Sequence, residues 1–142
     1  MPATVRNVLA VLAGPVAGML VNGAIIAASA TLVPPPPGVD LSNADGIAKG
    51  MHLFQPRHFV MPFLAHALGT FAGAFTAYVV AATYRGAMAY ITGAVFLCGG
   101  IAASFMIPAP GWFIALDLLL AYIPMAWLAI RLGRRAKAER AL

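Results

Sequence analysis

Four apolar runs, each about as long as a bilayer core is thick, account for most of this 142-residue sequence. They cover residues 8–33, 59–84, 87–107 and 112–130. A helix rises 1.5 Å per residue, so about 20 residues cross a hydrocarbon core of ~30 Å. Backbone in lipid must satisfy its own hydrogen bonds, and for uniformly apolar runs of this length helices do so. The expected fold class is all-α: an integral membrane four-helix bundle, one transmembrane domain over residues 1–142. Composition agrees, at 62% hydrophobic and only 9% charged, where a soluble domain carries about 25% charged residues.

The net charge of +5 would suit nucleic acid in a soluble protein. Here the basic residues sit beside apolar runs, so the lipid bilayer is the expected partner and nucleic acid is not. Seven of the nine, Arg6, Arg85, Arg131, Arg134, Arg135, Lys137 and Arg140, fall on one side of the four spans. Lys49 and Arg57 fall on the other. This bias places the N and C termini and an Arg85-Gly86 turn in the cytoplasm. The loop 34–57 and a Pro108-Ala109-Pro110-Gly111 turn then face outward. Trp112 and Phe113 suit the outer interface, Trp127 and Tyr84 the inner one. Arg131 opens a basic cytoplasmic tail, 131–142, placed to touch anionic headgroups. A competing reading takes the first run and Ala28-Ser29-Ala30 as a cleaved secretory signal, although the run is long for one and Pro15 and Asn22 interrupt it.

In the outer loop, four consecutive prolines from Pro34 predict a stiff polyproline segment. Asp40 or Ser42 is placed to cap a short amphipathic helix reaching about Phe54, its apolar face carrying Ala44, Ile47, Ala48, Met51 and Phe54. Such a helix lies in the membrane interface or packs onto the bundle.

The run from Val33 through the prolines to Gly38, and Pro108 to Phe113 opening the last span, resemble a group of small bacterial four-span membrane proteins of undescribed function. The resemblance implies the four-span fold and a bacterial cytoplasmic (inner) membrane. It implies no activity, no cofactor and no functional residue.

Small residues recur every fourth position in the first two spans, around Gly14-x-x-x-Gly18 and Gly69-x-x-x-Gly73. Residues four apart share a helix face, so each span offers a groove for close backbone approach. The two grooves suit each other, a second copy, or another membrane subunit. Pro15 and Pro124 lie inside spans and each removes a helical hydrogen bond. Cys98, alone in an apolar run, reads as a small buried hydrophobe.

Polar residues inside the spans are few. Asp117 lies about six residues into the last span, roughly 9 Å deep, and His66 about eight residues into the second, roughly 12 Å deep from the same side. A carboxylate at that depth must be paired, neutralised or wet. The matching depths predict that Asp117 and His66 face each other or share an outward-opening cavity. Such a pair can relay protons, bind a cation, hold a substrate group, or simply fasten two helices. Asn22 in the first span is placed for a hydrogen bond across helices. In the loop, His52, His58 and Asp45 form a weak metal candidate, since their spacing matches no ligand motif. No catalytic motif is present, so the sequence leans against an enzyme. It leads to an accessory or structural component of a membrane assembly, with a small transporter or ion- or proton-coupled permease subunit as the alternative. A cavity reaching Asp117 would favour the second.

Overall fold

The computed structural model describes the backbone of residues 1–139 and the side chains of residues 1–136, so Arg140 and the Lys137 side chain of the expected tail lie outside the described residues. The described residues contain only helices and connecting segments: α1 (Ala3–Leu32), α2 (Ala44–Gly50), α3 (Val60–Val80), α4 (Arg85–Met106), α5 (Gly111–Leu120) and α6 (Ile123–Glu139). Short 3-10 turns, Met51–Leu53 and Pro56–Phe59, join α2 to α3. Four helices, with α5 and α6 counted as one, are long and apolar enough to cross a membrane.

The central helix is α3, which packs against α1, α4 and α6. Its buried face is built of small residues: Ala65, Gly69, Thr70, Gly73, Ala74 and Ala77. Gly14 and Gly18 of α1 lie directly against this face. A Cβ at Gly18 would stand 2.7 Å from the carbonyl oxygen of Gly69, and one at Gly73 2.7 Å from that of Gly14. Only glycine permits this approach, and dispersion between two bare backbones replaces weaker contacts with lipid. The same glycine face also meets α4, where Thr92 sits beside Gly14 and Phe96 beside Gly18.

Polar side chains fasten the end of the bundle that carries the termini. Nε and Nη2 of Arg6 donate to the Val80 carbonyl at 3.1 and 2.9 Å, meeting the negative end of the α3 dipole. Oδ1 of Asn7 accepts from the N–H groups of Ala82 and Thr83 at 3.0 and 3.2 Å, and its Nδ2 donates to the Thr83 hydroxyl at 2.8 Å. These bonds hold an α3–α4 turn made of residues 81–84, not of Arg85-Gly86 as the charge pattern suggested. Tyr84 adopts φ +49 at the junction, and Arg85 is already the first residue of α4. The turn falls earlier because the α1 terminus supplies caps that are invisible in the local sequence.

The last span is interrupted, as its interior Pro124 predicts. It breaks at Ala121–Tyr122 into α5 and α6. Pro124 has no N–H to offer the Leu120 carbonyl, and its ring crowds that turn. Pro15, by contrast, lies within an unbroken α1. The final helix continues past Ile130 to Glu139, so the basic tail begins as helix. Arg131 packs on the Trp127 ring, 5.2 Å from its centroid.

In the long loop, α2 is shorter than expected and its cap is Asn43, whose side chain accepts from the Gly46 N–H at 2.7 Å. Asp40 braces the cap, accepting from the Ser42 N–H and from Nδ2 of Asn43. Hydrogen bonding from Ser42 holds the Asp40 carboxyl below the usual carboxylate range. Cys98 is exposed on the flank of the bundle, not buried. The inward stripe of α4 runs through Ala89, Thr92 and Gly93, and Cys98 lies off it.

Candidate functional site

His66 and Asp117 meet at the opposite end of the bundle, beneath the long loop. Nδ1 of His66 lies 2.9 Å from both carboxylate oxygens of Asp117. A third residue, absent from the sequence reading, joins them: the Tyr122 hydroxyl donates to Oδ2 of Asp117 at 2.8 Å. The same hydroxyl is 3.2 Å from Nδ1 of His66, and the two rings stack with centroids 5.9 Å apart. With the carboxylate ionised, Nδ1 is the donor of this shared hydrogen bond.

Each member is placed by its own element. His66 projects from α3, one helical turn from Thr70 on the buried face. Asp117, 5% exposed, projects inward from α5. Tyr122 stands at the α5–α6 break, and the break brings it into the cluster. On a straight helix, residues five apart point about 140° away from each other. Opposite, Gly100 of α4 leaves the space Tyr122 occupies, since a Cβ there would collide with the phenol ring and hydroxyl.

Above the cluster lies a cavity of about 330 Å³, with His66 and Asp117 among its lining residues. Its walls come from the loop-side halves of α1 and α4, notably Ile26, Ala30, Ala103 and Ile107. Phe96 fills the space beside Gly18. Ile47, Met51 and Phe54 of the loop also line it. An aromatic cluster closes one flank: Phe59 packs against Phe113 at 4.8 Å and against Trp112 at 5.5 Å between centroids. The two serines in the wall, Ser29 and Ser104, donate back to the carbonyls of Ile26 and Ile101.

The remaining candidates do not join this cluster. Asn22 packs against Gly69, which presents no side chain. His52, His58 and Asp45 are not brought together as a metal-binding group. Each is engaged locally: Asp45 pairs with Lys49 at 2.7 Å, His52 sits 3.1 Å from the Lys49 carbonyl, and Nδ1 of His58 accepts from the Gln55 N–H at 2.8 Å. Helical and 3-10 geometry favours these near neighbours. Gly14, Gly18, Gly69 and Gly73 face one another within the chain. Thr70 is fully buried with its hydroxyl unpaired among the described residues.

By class this is an all-helical bundle with four helices able to cross a membrane and a polar cluster under an apolar cavity. Comparison with protein-family models, with characterised proteins and with solved structures found no match to the chain.

Proposed function

We propose that this is a small multi-pass membrane protein that binds a largely apolar ligand in the loop-end cavity and couples binding to proton exchange at His66, Asp117 and Tyr122. That is the part of a small transporter or a proton-coupled permease subunit. One observation carries the reading: among the described residues, the cavity reaches the only carboxylate buried in the spans. A dry, closed bundle would have made the His66–Asp117 pair a mere fastening. Instead the His66 side chain is 29% exposed on a ring that lines an apolar chamber of ligand size.

The accessory reading drew on the small-residue grooves as well as on short loops and the lack of a catalytic motif, and the grooves are engaged within the chain. A homo-oligomer or a larger assembly would use other surfaces. The gathering of Arg6, Arg85, Arg131, Arg134 and Arg135 at the termini end supports an orientation with both termini in the cytoplasm and the cavity opening outward. The resemblance noted above supports a bacterial inner membrane. Two features support retention of α1 over its removal as a signal. It carries the Arg6 and Asn7 caps and one wall of the cavity. Ile47 and Met51 line the cavity, which supports α2 as a cover that rests its apolar face on the bundle at the interface.

The test uses the full chain in lipid nanodiscs and (trifluoromethyl)benzene as probe, observed by fluorine NMR. The expected result is saturable binding, lost when Ala103→Phe fills the cavity. Because the proton exchange is assigned to the protein, the affinity of this same neutral probe should depend on pH, and Asp117→Asn should flatten that dependence while leaving the helical circular dichroism intact. Saturable binding that neither variant changes would refute the assignment.

A further inference from the structure

The cavity constrains its occupant beyond size. We infer that the ligand is an electrically neutral, mostly apolar molecule bearing a hydroxyl, and that this hydroxyl donates its hydrogen bond to Nε2 of His66. The inference rests on the proposed reading of the cavity as a ligand site.

Volume sets the body of the molecule. An apolar cavity of about 150 Å³ holds benzene, so about 330 Å³ holds a ring with a short chain, or two rings. The lining is dominated by aliphatic and aromatic side chains.

Charge sets what the head cannot be. No lysine or arginine lines the cavity, so an anionic head would add a second negative charge beside Asp117. A cationic head would seek that carboxylate, which already accepts from His66 and Tyr122 and lies behind them. Asp117 is also only 5% exposed, so the cluster presents its imidazole, not its acid. A charged head would therefore meet the imidazole and apolar walls without a partner of opposite charge, which is unfavourable and leaves a neutral head.

Hydrogen-bond direction sets what the head must be. Ser29 and Ser104 commit their protons to backbone carbonyls, and Nδ1 of His58 is occupied by the Gln55 N–H. Nδ1 of His66 is committed to Asp117. Nε2 is the nitrogen of that ring with no partner among the described residues, and the proton on Nδ1 fixes Nε2 of the neutral ring as an acceptor. The carboxylate behind the ring polarises it, so Nε2 accepts strongly. A neutral O–H matches it, whereas an ether or a bare hydrocarbon does not.

The experiment compares 4-(trifluoromethyl)phenol, 4-(trifluoromethyl)anisole and (trifluoromethyl)benzene by fluorine NMR against the full chain in nanodiscs at neutral pH. The phenol should bind roughly tenfold more tightly than the anisole, the ratio equivalent to one good hydrogen bond. His66→Phe should reduce the phenol to the level of the anisole. A readout on the unaltered protein covers the case of a variant that does not fold: nitrogen–proton NMR correlations of the His66 imidazole should move Nε2 on addition of the phenol and not of the anisole. Equal affinity for all three probes would overturn the hydroxyl assignment while the cavity remained a ligand site. A phenol preference surviving in His66→Phe, or no change at Nε2, would overturn it too. Failure of every probe to bind saturably would remove the cavity reading and this inference together.

Discussion

Asp117 is an acceptor whose two oxygens are already engaged, by a histidine and by a phenol. Its neighbours therefore differ in what they contribute. Tyr122 gives a proton from a buried hydroxyl, and Tyr122→Phe removes that donor while keeping the ring on Gly100. Interhelical and intrahelical side-chain bonds in membrane proteins average below 1 kcal/mol, so this variant should lose about 1 kcal/mol in detergent unfolding. Thr70 behaves oppositely. Its hydroxyl is buried without a partner among the described residues, so Thr70→Val should be neutral or stabilising by up to about 1 kcal/mol in the same assay. A clear destabilisation would mean the hydroxyl has an unseen partner. The depth of His66 and Asp117 made their meeting legible from sequence, since both are counted from the same membrane face. Tyr122 was not legible, because helical spacing aims it away from Asp117 and only the break before Pro124 turns it back. Sequence carried a signal for that break in the proline, but not for its direction.

Between elements, the bundle is held by an apolar seam and a polar clamp at separate heights. The α1–α3 seam depends on bare backbone: Gly18→Val would drive a side chain into the Gly69 carbonyl and the Phe96 ring. Overpacking of this kind costs about 1–3 kcal/mol. It should appear as a lower melting temperature, together with weaker probe binding, because Phe96 packs against the cluster that holds Tyr122. The clamp is local. Asn7→Ala frees two N–H groups of the 81–84 turn, a loss comparable to a missing helix cap at about 1 kcal/mol. It should raise hydrogen exchange at Ala82 and Thr83 while leaving the cavity probes unaffected. Spans were readable because periodicity and length are properties of one segment. The α3–α4 turn was not, since residues from α1 more than seventy positions away in sequence decide where α3 stops. The cap of α2 was misread for a related reason: Asp40 orients Asn43, and three neighbouring cap-forming residues compete within four positions.

For the molecule as a whole, the question is which surface meets lipid, and Cys98 offers a direct answer. It is the chain's single cysteine, it is exposed on the flank of α4, and it lies about 20 Å along that helix from Arg85. Exposure on a soluble protein would make such a thiol reactive. Within hydrocarbon it has no water to support the thiolate that reacts, and a charged reagent cannot approach. In intact membranes Cys98 should therefore resist a membrane-impermeant maleimide from both sides, and should label after solubilisation in denaturing detergent. In a Cys98→Ala background, Ser42→Cys on the exposed loop should label from one side only, and a cysteine replacing Arg135 from the other. Labelling of Cys98 in sealed vesicles would place α4 outside the bilayer and dismantle the four-span arrangement. Labelling of the Ser42 and Arg135 positions from the same side would contradict the orientation drawn from the arginine bias. If the pattern holds, the cavity opens on the face opposite the basic residues, and a neutral ligand reaches His66 without crossing the clamp formed by Arg6 and Asn7.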